Sequence, residues 1–109
     1  MDATYLLTDH AIDQMDARLI GREVLELLLA NGDRHVHVGG GMRALSITRQ
    51  RLRTLRHSGV AAAIIERAAK VVAVLKAAND PADERPVVIT VMRARGGEAS
   101  RYRRYRGRA

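Results

Sequence analysis

Apolar and polar positions along the chain change period several times, and each change marks an element. After Thr8-Asp9, a good N-cap pair with its acid placed for the helix dipole, Ile12, Met15 and Leu19 recur at helical spacing. That predicts a helix from Asp9 to about Arg18 with those three residues on its buried face. Arg22 to Ala30 is a second, strongly apolar helical stretch, which Asn31-Gly32 ends as a left-handed C-cap would. The period then falls to two. Val36 and Val38 alternate with His35 and His37 as a short strand, Gly39-Gly40-Gly41 turns the chain, and Met42 to Thr48 returns as a second strand. Thr48 caps a short helix with Leu52 and Leu55 inside and Arg49, Arg53 and Arg56 outside, stopped by Ser58-Gly59. Val60 to Ala69 reads as a further helix with Ile64 and Ala68 aligned, and Val71 to Leu75 as a buried β-branched strand. A loop carrying Asn79-Asp80-Pro81 leads to the strongest strand, Val87 to Met92, on which Val87, Ile89 and Val91 form the core set and Thr90 lies opposite. Gly96-Gly97 turns back into Ser100 to Arg106, an Arg/Tyr-rich edge strand or tail.

The order α-α-β-β-α-α-β-β predicts an α+β fold: one domain over residues 1–109, an antiparallel sheet of about four to five strands with helices packed on one face. Residues 1–33 form a helical N-terminal part, 34–95 the sheet with inserted helices, and 96–109 the C-terminal strand or tail. At 109 residues the chain is long enough for a real core. With no Phe or Trp, that core is built from Leu, Ile, Val, Ala and Met.

Composition narrows the chemistry. The absence of cysteine excludes disulfides, thiol nucleophiles and Cys-based zinc sites. An acidic start and short apolar runs predict a cytoplasmic protein with no membrane partner. The net charge of +7 is segregated: residues 1–33 carry −5, 34–57 carry +6 without a single acid, 58–92 balance, and 93–109 carry +6. Such a one-sided field concentrates polyanions, and seventeen arginines against two lysines favour bidentate phosphate contact. Nucleic acid, RNA first, is the expected partner. Its expected contacts are Arg49 and Arg53 on the third helix, Arg93 and Arg95 at the end of the last core strand, and the tail residues Arg101, Tyr102, Arg103, Arg104 and Tyr105, where rings that stack on bases interleave with cations.

His10, Gln14 and Arg18 fall within about 80° on the first helix, with His10 and Arg18 roughly 12 Å apart along its axis. A proton carrier and a fixed cation on one helix edge suit phosphodiester chemistry, and the Thr90 hydroxyl can donate to a phosphate oxygen. His35 and His37 share a strand face, but with no acid near them in sequence no metal and no cofactor is expected.

The segment Thr8-Asp9-His10-Ala11-Ile12-Asp13-Gln14-Met15-Asp16-Ala17-Arg18-Leu19-Ile20, with Asn31-Gly32 beyond the next helix, resembles the opening of the domain of unknown function 4258. Val88-Ile89-Thr90-Val91 resembles that family's last core strand. The resemblance implies the barnase, EndoU, colicin and RelE-like ribonuclease fold, and with it a toxin-like, bacterial, metal-independent endoribonuclease. In it His10 would be the general acid/base and Arg18 and Thr90 would serve the phosphate. Gln14 stands where the family pattern carries a basic residue. The alternatives are therefore a non-catalytic nucleic-acid-binding module on the same fold, or an interaction domain for an acidic antitoxin or inhibitor. An exposed strand edge also suits a homodimer.

Overall fold

Thr8 closes a two-residue strand and opens the first helix, and the rest of the architecture hangs on that junction. The computed structural model describes residues 4–93. Along the chain it runs β1 (Leu6–Leu7), α1 (Asp9–Ala17), α2 (Arg22–Asn31), β2 (Arg34–Gly39), β3 (Met42–Ser46), α3 (Arg49–Arg56), α4 (Ala62–Ala68), β4 (Val71–Ala77) and β5 (Pro86–Arg93). The expected last strand, with Arg95, Arg101, Tyr102, Arg103, Arg104 and Tyr105, lies outside the described residues.

The fold is α+β, and the described strands form one sheet in the order β1-β5-β4-β3-β2. The sheet is mixed, not wholly antiparallel: β1 runs parallel to β5, Leu6 facing Val87 and Leu7 facing Val88. Two residues carry no alternation to read, so this edge strand is invisible to periodicity. Helices α1 to α4 all contribute to one core on one face of the sheet. Ala11 and Met15 from α1, Val24, Leu25 and Leu28 from α2, Leu52 and Leu55 from α3, and Ile65 and Ala68 from α4 pack against Leu45, Val71, Ala73, Leu75, Val88 and Val91. Val36, Ala44 and Val72 form a smaller cluster on the other face, with Val38 and Met92 against it. In α4 Ile65 is buried in the core with Ala68, and Ile64 packs half-buried against the same cluster.

β5 departs from strict alternation. Val74 pairs with Thr90 but Leu75 pairs with Val88, so Ile89 is a bulged extra residue. The bulge flips parity, and the core set is Val88 and Val91, both 0% exposed, in place of the expected Val87, Ile89 and Val91. Thr8 anchors α1 at this bulge. Its hydroxyl donates to the Ile89 carbonyl at 2.9 Å with the Val88 carbonyl 3.3 Å away, its amide donates to Val88 at 3.2 Å, and its oxygen accepts from the Ala11 amide at 3.1 Å.

Held there, α1 presents Ala11 and Met15 to the sheet. Ile12 and Leu19, expected on the buried face, are 41% and 83% exposed. The small Ala11, at 0% exposure, permits a close approach that a face centred on Ile12 would block. Leu19 lies beyond the helix. It occupies the left-handed position (φ +54°) of a Schellman turn, in which the Leu19 amide donates to Asp16 and the Ile20 amide to Met15. Glycine is the usual residue there, because a Cβ crowds the following carbonyl. Leu19→Gly is expected to stabilise the fold by about 0.5–1 kcal/mol, read as a higher urea midpoint at unchanged slope.

Gly32 also differs from expectation. Its φ of −62° and ψ of 123° are extended, not left-handed. What makes it glycine is space: a Cβ there would lie 2.5 Å from Leu45 Cγ, 2.6 Å from Leu45 Cδ1 and 2.8 Å from the Leu28 carbonyl oxygen.

Candidate nucleic-acid interface

The start of α3 is fixed by a clamp between two turns of chain. Thr48 is the N-cap, its hydroxyl oxygen accepting from the Arg51 amide at 3.3 Å. The Asp33 carboxylate accepts from the Thr48 amide at 2.8 Å and from its hydroxyl at 2.6 Å. Arg51 turns back to donate to the Asn31 side-chain oxygen at 2.7 Å, so the end of α2 and the start of α3 are tied together. Partial burial pushes the Asp33 carboxyl up. The two Thr48 donors, its own amide and the Arg51 charge outweigh that and hold it below its ordinary 3.8. Because the folded value is lowered, the stability that Asp33 contributes is present above the ordinary carboxylate range and is lost as pH falls through the lowered value. Asp33→Asn is expected to remove that part of the acid dependence, measured as a flatter midpoint-against-pH curve below pH 3.8.

With Leu52 and Leu55 inward, α3 turns Arg49, Gln50, Arg53 and Arg56 to solvent. Arg49, Arg53 and Arg56 fall within about 60° of arc and rise about 6 and 10.5 Å along the axis, a straight ridge of guanidinium groups. Beside it runs a groove of about 1030 Å³, lined among others by Arg34, Thr48, Arg49, Gln50 and Arg53. Asp33 is the acid in that lining, and both its oxygens are already engaged by Thr48. Arg34 Nε is a buried side-chain nitrogen with no hydrogen-bond partner among the described residues. Arg49 and Arg53 are legible in sequence from their outward parity. Arg34 is signalled only as the start of the acid-free stretch, and the Asp33–Thr48 clamp carries no signal at a separation of fifteen residues.

The three residues expected to serve catalysis are not gathered. His10 is exposed in the first turn of α1. Arg18, half-buried at the far end of that helix, donates to the Val91 carbonyl at 3.1 Å. Thr90 is in register with Val74 and Ala44, which places it on the sheet face opposite α1. Arg93 keeps helix-side parity at the end of β5 and donates to the Arg18 carbonyl at 2.6 Å, lining a different cavity from the α3 groove. His35 and His37 are exposed on β2. Among the described residues no three His, Asp or Glu side chains come together as a metal site, and no helix is long and apolar enough to cross a membrane.

Comparison with protein-family models, curated proteins and solved structures returned no match.

Proposed function

We propose that this protein is an RNA-binding module that grips the phosphate backbone with the arginine ridge of α3 and the groove beside it. The observation that carries this reading is the groove itself, where Arg34, Arg49 and Arg53 face one channel whose acid is already occupied by Thr48. Phosphates bring the negative charge those guanidinium groups lack, and contact with the backbone requires no particular base. The ridge spacing of about 6 Å suits neighbouring phosphates of one strand. An acidic antitoxin or inhibitor would compete for the same surface, and a protein acting on cellular RNA belongs in the cytoplasm. Anisotropy titration of a labelled tRNA at several salt concentrations, with wild type and Arg49→Ala/Arg53→Ala, tests the proposal. Equal affinity of both proteins at every salt concentration would sink it.

The exposure of His10 favours a second reading on the same scaffold, a metal-independent endoribonuclease. In it the RNA 2′-hydroxyl attacks the adjacent phosphorus as the P–O5′ bond breaks, His10 moves a proton between the 2′-hydroxyl and the departing 5′-oxygen, and an arginine holds the developing charge, leaving a 2′,3′-cyclic phosphate and a 5′-hydroxyl end. Incubating tRNA in excess EDTA with wild type and His10→Ala is expected to give discrete fragments with wild type alone. RNA left intact by both proteins, under conditions where it is bound, removes the catalytic reading and leaves the module.

A further inference from the structure

A second cavity, of about 550 Å³, opens where the α1–α2 turn, α4 and the end of β5 meet. Its size falls within the roughly 300–1,000 Å³ typical of small-molecule sites. Ile20, Val24 and Val71, all buried, form its apolar floor. Its charged lining is Arg67, Lys70 and Arg93 against Glu66, a clear cationic excess. Among the described residues no aromatic side chain lines it, so it offers aliphatic contact and no stacking surface.

Leu19 gives the cavity its meaning. It belongs to the lining, is 83% exposed, and holds a left-handed backbone where glycine would relieve crowding. A leucine in that place serves neither the core nor the turn. It does extend the apolar wall of the cavity toward solvent. We propose that this cavity binds a small amphipathic anion, an aliphatic chain ending in a carboxylate. The chain lies on Leu19, Ile20, Val24 and Val71, and the head group meets Arg67, Lys70 and the donors of Arg93 not used on the Arg18 carbonyl. The site is separate from the α3 groove and does not depend on the nucleic-acid reading.

Sodium octanoate titrated into ¹⁵N-labelled protein is the test. It is expected to shift the amides of Leu19 to Val24 and of Ala63 to Val71 saturably. Acetate, which lacks the chain, and octyltrimethylammonium, which reverses the head group, are expected to bind at least about tenfold more weakly. Lys70→Glu should weaken octanoate by about tenfold. Leu19→Gly separates a binding role from a structural one, since it raises the unfolding midpoint yet weakens octanoate several-fold. Arg49→Ala/Arg53→Ala keeps the octanoate affinity whether or not RNA binding is lost. The proposal is overturned if octanoate produces no saturable shift at this cavity, if the ammonium analogue binds as tightly, or if Leu19→Gly leaves octanoate affinity unchanged.

Discussion

Gly32→Ala is expected to lower stability by about 2 kcal/mol, although alanine is the better helix former and the backbone at this position is one that alanine adopts readily. The added methyl would sit 2.5 Å from Leu45 Cγ and 2.8 Å from the Leu28 carbonyl oxygen. Neither neighbour is the free end of a flexible chain. Leu45 Cγ is a branch point in the middle of a core strand, and the Leu28 oxygen accepts the closing hydrogen bond of α2 from the Gly32 amide at 2.7 Å. Overpacking costs about 1–3 kcal/mol, and with three contacts under 3 Å the upper end applies here; reduced unfolded-state entropy offsets about 0.4–1 kcal/mol of it, leaving about 2 kcal/mol. The loss wins, and for a chain of this size it corresponds to a fall in Tm of roughly 8–16 °C. Urea unfolding at constant slope is the direct measure. Leu45→Ala, which removes the Cγ, should recover part of the loss in the Gly32→Ala background while destabilising the wild type, a coupling that a double-mutant cycle isolates. Additive effects would show that the Cβ is accommodated elsewhere.

On the proposed RNA-binding reading, replacing Arg49 and Arg53 together by alanine is expected to weaken RNA binding more than any other pair of substitutions on α3. Each phosphate contact contributes about 0.7 to the slope of log K against log salt for a single strand, so the double variant should lose about 1.4 from that slope. Affinity should fall by an order of magnitude or more at low salt, and the two proteins should converge as salt rises. Leu52 and Leu55 hold α3 in the core from its other side, so the folded state should persist. Far-UV circular dichroism and an unchanged urea midpoint establish that the loss is one of contacts. Unchanged affinity and slope would overturn the reading of the α3 ridge as a nucleic-acid contact. His10→Ala, on α1 and outside the ridge, should leave the salt slope as it was.

Much of this protein is legible in the local chemistry of its sequence. Capping threonines at positions 8 and 48, the change of period at Asn31-Gly32, the triple-glycine turn and the β-branched runs are features of neighbouring residues. They locate α1 to α4 and every described strand except β1. The outward parity of Arg49, Arg53 and Arg56 follows from Leu52 and Leu55 in the same eight-residue helix, so the ridge is legible too. Other outcomes depend on partners far along the chain. β1 exists because it pairs with β5, some eighty residues away. The Ile89 bulge, with Thr8 bonded to its carbonyls, exchanges one core set on β5 for another and turns α1 so that Ile12 faces outward. The same placement engages Arg18 with a strand carbonyl and leaves Thr90 on the opposite face from His10. Periodicity says which residues share a face. Only packing says which face is buried, since a single bulge or one small residue at a contact shifts that answer without altering the pattern.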